Sequence, residues 1–270
     1  MDILTFLYET IPGRFILKPL TAPLFSRICG CFLDSKYSSC FIQPFIHRNH
    51  INVEEYETDG IRSFNDFFSR KIKEGKRVVT MDAEKLIAPC DGLLSVWKVD
   101  RDTILSVKQS KYTISDLLCD KKLAQHYEGG YCLVFRLCVD HYHRYCYVDS
   151  GKKSRNIFIP GKLHTVRPIA LRKVPVFTEN SREYTLIRTA EFGTLVQMEV
   201  GAMLVCRIVN NEGKGRAVRG REKGYFQYGG STIILLAEPD QIKLREDVLK
   251  NSSLGQETAV KMGEMIGHAL

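Results

Sequence analysis

The apolar residues of this 270-residue chain change their spacing at about residue 86, and that change limits the fold more than any single motif. Before it, Ile3, Leu7 and Ile11 recur at i, i+4 and i+8 and predict one face of a helix, which Pro12-Gly13 is expected to stop. Pro19, Pro23 and Pro44 divide the next stretch into short pieces. Ser63-Phe64-Asn65-Asp66 then predicts a helix start, with Ser63 as N-cap, Asp66 in the box position and Phe64, Phe67 and Phe68 as the apolar face. After residue 86 the apolar runs are short and rich in β-formers, at 131–139 and 231–236. Over 194–200, Val196, Met198 and Val200 alternate with Gln197 and Glu199, the period-two signal of a half-buried strand. Only short helical stretches interrupt these runs, which argues against a parallel sheet with crossover helices. An α+β chain is expected, helical over 1–80 and β-rich over 81–270.

Composition excludes several classes. With 44% hydrophobic and 26% charged residues the chain is not disordered. Its nine cysteines contain no C-x-x-C pair, so neither a zinc site nor a disulfide framework is indicated, and free, mostly buried thiols in a reducing compartment are expected. The apolar stretch 3–25 is broken by Glu9, Arg14 and Lys18, so no segment is expected to span a bilayer, and no cleavable leader is recognisable. Any membrane contact is therefore expected at the surface, from the cytoplasmic side. The net charge of +8 is concentrated in residues 151–225, where 15 Lys and Arg face 6 Asp and Glu. Such a block suits an anionic partner. The signatures of RNA-binding sheets, zinc fingers and basic zippers are absent, which disfavours nucleic acid.

Three places carry groups capable of chemistry. Asp91 lies in Ala88-Pro89-Cys90-Asp91-Gly92, a turn before a strand; Asp-Gly is also an ordinary turn signal. His141 and His143 in His141-Tyr142-His143-Arg144 would share a face of an extended segment, where they suit a general base, two metal ligands short of a third, or an idle surface pair. Gly229-Gly230-Ser231-Thr232 precedes the apolar run Ile233-Ile234-Leu235-Leu236. A Gly turn feeding a buried strand is the plainest reading. A hydrolase elbow would need G-x-S-x-G between strand and helix, and residue 233 is Ile. A serine after a glycine also suits attack on the preceding carbonyl, because Gly tolerates strained dihedrals. The resulting N-to-O acyl shift makes an ester; elimination across the serine then cuts the chain, leaving a dehydroalanine that hydrolyses to an N-terminal pyruvoyl group. That chemistry needs an acid and a base, for which Asp91 and a histidine of 141–143 are the candidates.

Taken in order, Ser63-Phe64-Asn65-Asp66-Phe67-Phe68-Ser69-Arg70, Ala88-Pro89-Cys90-Asp91-Gly92, Tyr142-His143-Arg144, Ile159-Pro160-Gly161, Phe177-Thr178-Glu179-Asn180-Ser181-Arg182, Glu199-Val200-Gly201-Ala202 and Gly224-Tyr225-Phe226 with Gly230-Ser231-Thr232 resemble the phosphatidylserine decarboxylase family. The resemblance implies a β-rich barrel-sandwich core preceded by an N-terminal helical, membrane-docking region. It implies self-cleavage between Gly230 and Ser231 into an associated β chain (1–230) and α chain (231–270). It also implies a covalent pyruvoyl group on Ser231 that forms a Schiff base with the substrate amine, with no metal or diffusible cofactor. Phosphatidylserine would be converted to phosphatidylethanolamine and CO₂ at the cytoplasmic face of the membrane, the enzyme being peripheral on an anionic surface. Asp91, His143 and Ser231 match the family's relay. Many members carry a second histidine three positions after the one matching His143, and it is usually given the relay role; here that position is Cys146, so the relay falls to His143, with His164 in reserve. A pyruvoyl decarboxylase of a soluble amino acid, a serine esterase and a non-catalytic binder of anionic lipid are the alternatives, and a homodimer is left open.

Overall fold

The computed structural model describes residues 2–100, 112–203, 207–211, 213–229 and 231–270. The first 70 residues form helices α1 (Ile3–Glu9), α2 (Ile11–Leu20), α3 (Pro23–Leu33), α4 (Ile42–Asn49) and α5 (Phe64–Phe68), with a 3-10 helix over Lys36–Phe41. Pro12-Gly13 does not stop a helix, as the sequence suggested. The first helix has already ended at Glu9, and Thr10 caps α2 by accepting from Gly13 N at 3.0 Å. Pro12 sits in the first turn, where its missing N–H costs nothing. Gly13 lies where α2 crosses α1, and any Cβ there would collide with the Phe6 carbonyl. Of Ile3, Leu7 and Ile11 only Leu7 is buried, so the three do not share a packed face. The predicted start at Ser63 is present as a full capping box: Ser63 Oγ accepts from Asp66 N, and Asp66 accepts from Ser63 N.

Strands follow: β1 (Lys85–Ile87), β2 (Gly92–Lys98), β3 (Tyr131–Leu137), β4 (Arg144–Cys146), β5 (Gly151–Lys153), β6 (Ile157–Ile159), β7 (Arg182–Arg188), β8 (Thr194–Val200), β9 (Ile208–Asn210), β10 (Gly215–Ala217), β11 (Glu222–Phe226), β12 (Ser231–Ala237), β13 (Ile242–Leu244), β14 (Thr258–Val260) and β15 (Met265–Ala269). The main sheet runs β10-β5-β7-β8-β12-β3-β2-β14, with β6 beside β7, and two smaller sheets run β1-β15-β13 and β4-β11-β9. The architecture is α+β, an open antiparallel sheet sandwich behind N-terminal helices. At its centre β12 pairs with β3 over all seven residues and with β8 from Thr232 to Leu236. Every residue of β12 is buried, which its unbroken apolar run requires.

The alternation in 194–200 predicts a half-buried strand, but Thr194–Val200 is covered on both faces. Gln197 Nε2 donates to Cys146 O at 2.9 Å on β4, and Lys223 Nζ of β11 lies 2.5 Å from Glu199 Oε2, both side chains fully buried. The β4-β11-β9 sheet thus lies over the polar face of β8, and a buried ion pair replaces water there. The basic block is likewise partly internal: Lys153, Arg182, Arg219 and Lys223 are buried. The cysteines are less buried than expected: Cys90, Cys132 and Cys146 are buried, but Cys31, Cys40 and Cys119 are exposed.

Candidate active site

Antiparallel pairing puts the three predicted groups at one end of the main sheet. β3 runs against both β2 (Leu93↔Arg136) and β12 (Ser231↔Leu137). The starts of β2 and β12 therefore coincide with the finish of β3. Asp91 immediately precedes β2, Ser231 opens β12, and 138–143 is the turn that leaves β3. With neighbouring strands about 4.8 Å apart, the backbones carrying Asp91 and Ser231 are separated by roughly 10 Å, with the end of β3 between them. The end of β8 and the start of β7 meet there too, through Thr232↔Val200 and Arg182↔Val200.

The Asp91 carboxyl group is held by donors on two sides. Arg77 Nε donates to Oδ1 at 2.8 Å and to Oδ2 at 3.1 Å, Arg77 Nη2 donates to Oδ2, and Met262 N donates to Oδ1 at 2.9 Å. Glu55 Oε2 accepts from Arg77 Nη1 at 3.0 Å and fixes the guanidinium from behind. A bidentate fork of this kind orients a carboxylate as well as stabilising its charge.

His143 is fully buried against Phe68, ring centroids 4.0 Å apart. Burial, helped by the Arg70 guanidinium, pushes its pKa down to about 3, so the ring is neutral near pH 7. Its Nδ1 lies 2.9 Å from the His141 carbonyl, which can only accept, so Nδ1 carries the proton and Nε2 the lone pair. That Nε2 is buried and has no hydrogen-bond partner among the described residues. The Asp91 charge also reaches His141, where it favours the protonated ring, although burial is the larger influence and lowers the His141 pKa.

Ser231 Oγ is the complement. It too is buried without a partner among the described residues. The segment before it is fixed by the N-terminal helices: Asn65 Oδ1 accepts from Tyr228 N at 3.1 Å, and the Tyr228 ring stands edge-on to Phe64 and Phe68 at 5.0 and 5.1 Å. Gly229 has φ of +132°, a conformation open to glycine and strained for other residues. Gly230 lies outside the described residues.

Asp91, His143 and Ser231 therefore share one end of the sheet, but no hydrogen bond joins them directly. His164 belongs to another set. Its Nδ1 lies 3.2 Å from the Tyr8 hydroxyl, its Nε2 3.6 Å from Glu179 Oε2, and its backbone N donates to Asn180 Oδ1. Cys146 is buried on β4, where burial pushes its thiol up to about 12, so it is protonated and unsuited to act as a base. His141 and His143 do not form a ligand pair, because His141 Nδ1 turns back to accept from Cys138 N at 3.2 Å. A cluster the sequence reading missed, Cys138, Asp140 and His141, has ligand atoms within 4.8 Å of one another. Also missed were Arg77, Asn65 as the anchor of Tyr228, and Asn180, whose Nδ2 donates to the carbonyls of His164 and Gly201 at 2.8 and 2.7 Å. Asn65 and Asn180 lie inside quoted motifs, which was the available signal; nothing near Arg77 announces its partner.

Comparison with known proteins shows the family of the chain. The family model described as phosphatidylserine decarboxylase matches residues 64–268, from α5 to the last strand. A protein of Clostridium acetobutylicum named phosphatidylserine decarboxylase proenzyme 2 is 47% identical over 265 residues, covering 98% of this chain and 91% of that one. A phosphatidylserine decarboxylase proenzyme of Ruminiclostridium cellulolyticum is 39% identical over 274 residues, covering 99% and 91%. One from Clostridium kluyveri is 41% identical over 249 residues, covering 90% and 84%. With the family model spanning most of the chain and relatives matching nearly all of it, this protein belongs to the phosphatidylserine decarboxylase family.

Proposed function

We propose that this chain decarboxylates phosphatidylserine to phosphatidylethanolamine, using a pyruvoyl group that it makes from Ser231 by cutting itself after Gly230. The observation that carries the reading is the pair of orphaned atoms at one end of the sheet: a lone pair on His143 Nε2 and a hydroxyl on Ser231, both buried and both unpartnered among the described residues. Neutral His143 takes the Ser231 hydroxyl proton, and Oγ attacks the carbonyl carbon of residue 230. Asp91, fixed just before β2 at the same end of the sheet, is the acid of the relay. The C–N bond between residues 230 and 231 then breaks as the nitrogen takes a proton, leaving an ester. Loss of the residue 231 Cα proton expels the residue 230 carboxylate from Cβ, and the dehydroalanine that remains tautomerises to an imine, which one water hydrolyses to the pyruvoyl carbonyl and ammonia. When present, a pyruvoyl carbonyl at residue 231 supplies the electron sink that loss of CO₂ from an α-amino acid requires. The buried strand end around Ser231 excludes water, and Arg77 keeps Asp91 oriented. The two pieces stay associated, because β12, β14 and β15 of the α chain pair with β1, β2, β3 and β8 of the β chain.

Among the described residues no single helix is long and apolar enough to cross a membrane. We assign the exposed apolar side chains of α2 and α3 to peripheral contact with the cytoplasmic leaflet. Intact mass under denaturing conditions tests the central step. Self-processing yields a fragment of about 4.6 kDa from the 30.9 kDa chain, roughly 17 Da lighter than a serine-terminated peptide, and Ser231→Ala remains a single species. An uncleaved wild-type chain would refute the reading. If the cleaved protein released CO₂ from soluble amino acids and none from phosphatidylserine vesicles, the amino-acid decarboxylase alternative would replace it.

A further inference from the structure

A cavity of about 500 Å³ opens between α3 and the site end of the main sheet. Arg27 and Gly30 of α3 form one wall, and Gly201, Arg207 and Gln227 the other. The second wall consists of segments that flank Ser231. Gly201 continues β8, whose Val200 pairs with Thr232, and Gln227 precedes Ser231 by four residues while its N donates to Arg207 O at 3.1 Å. A molecule seated in this cavity therefore meets two of the segments that hold Ser231 in place.

The charges in its walls are not paired with one another. Arg27 and Arg207 are exposed, and neither forms an ion pair with a described carboxylate. The two acids of the same walls are bound to amides instead: Asp34 Oδ1 accepts from Asn65 Nδ2 at 2.8 Å, and Glu183 Oε1 accepts from Asn210 Nδ2 at 2.8 Å. Two free guanidinium forks suit a phosphodiester. The two carboxylates oppose a bare dianion and favour a ligand that brings its own ammonium. Beside Arg27 on the same helix, Leu24 and Ile28 expose their side chains, so the cationic wall adjoins an apolar surface able to receive the tails of such a ligand.

We propose that this cavity is the headgroup site of the lipid substrate, with Arg27 and Arg207 holding the phosphodiester from opposite walls while the serine amine is directed toward residue 231. This proposal rests on the decarboxylase reading, and the two fail separately. The mass measurement on the wild-type chain judges the decarboxylase reading, whereas headgroup binding to the uncleaved Ser231→Ala chain judges the cavity.

The probe is glycerophospho-L-serine, which carries the headgroup without acyl chains, titrated calorimetrically into the Ser231→Ala chain. Adding Arg27→Gln and Arg207→Gln is expected to weaken binding about tenfold or more, from loss of two charge-assisted contacts. Arg188→Gln with Arg216→Gln removes the same charge from the opposite end of the sheet and is expected to change affinity by less than about twofold. Inorganic phosphate is expected to bind more weakly than glycerophospho-L-serine. Both arginines are exposed and unpaired with any described carboxylate, so the melting temperature serves as the check that the double variant is folded; should it fall, the Arg27→Lys and Arg207→Lys pair, which keeps the charge and loses the fork, is expected to give an intermediate affinity. Unchanged affinity in the glutamine variant, an equal loss in the distal pair, inorganic phosphate binding as tightly as the headgroup, or no detectable binding at all would each overturn the assignment.

Discussion

Helices α2–α3 and helices α4–α5 are built from the same apolar side chains and put them in opposite places. Ile11, Phe15, Leu24 and Ile28 are 66%, 67%, 67% and 63% exposed, whereas Phe64, Phe67 and Phe68 are 3%, 1% and 0% exposed. The difference lies in what each pair of helices has to cover. Phe45, Phe64 and Phe68 surround Tyr228, three residues ahead of Ser231, and Phe68 backs His143, so α4–α5 is a wall of the active site. α2 and α3 meet at a 61° bend, present their apolar residues outward and are free to meet a lipid surface. An aromatic, basic N-terminal sequence is thus two devices, one that buries its aromatic rings against the candidate site and one that leaves its large apolar side chains uncovered.

Substitutions separate the two. Phe68→Ala removes a fully buried ring that touches both His143 and Tyr228, and is expected to cost about 3–5 kcal/mol of stability and to stop self-cleavage. Urea unfolding with denaturing mass spectrometry reads both effects; retention of full cleavage would detach α5 from the site. Acid should act on the same region. Because folding lowers the His143 pKa from 6.5 to about 3, the unfolded chain binds a proton in that window that the folded chain refuses. Stability is therefore greatest above about pH 6.5 and falls as pH drops toward 3, to be followed as the urea midpoint against pH; replacing His143 with Gln should flatten that dependence. Asn65→Ala removes the acceptor for Tyr228 N, with an expected loss of about 1–3 kcal/mol and slower cleavage in a time course of fragment appearance. The smallest effect on stability belongs to Phe15→Ser with Leu24→Ser, at less than about 0.5 kcal/mol, yet this pair is expected to lose co-sedimentation with anionic vesicles. Vesicle binding undiminished in that variant would break the comparison.

Local signals in the sequence survived into the structure where the physics is local. Ser63 and Asp66 are three residues apart and form their capping box without help from elsewhere. The run Ile233-Ile234-Leu235-Leu236 becomes the body of the central strand because its side chains carry nothing polar to satisfy. Where the decisive partner is distant, the reading fails or stays silent. Gln197 and Glu199 look solvent-facing until Cys146 and Lys223 are brought over them. Asp91 looks like a turn residue until Arg77 and Met262 close on it. The resemblance of short motifs named His143 for its type and position; its neutrality and the side that carries the lone pair come only from burial and from the His141 carbonyl.

The placement of β12 at the centre of the sheet has a consequence for folding order. Before the cut, the precursor brings β12 between β3 and β8 as part of one chain, a unimolecular event whose rate is independent of protein concentration. After a cut between residues 230 and 231, the same strand belongs to a separate 40-residue molecule that contributes four strands to two sheets. Denaturing a chain cut as proposed would therefore make its reassembly a second-order encounter, diluted by every dilution of the sample, and would leave a fragment that cannot restore the original amide. On the proposed cut, the protein folds as one molecule and, if unfolded later, has to be recovered as two.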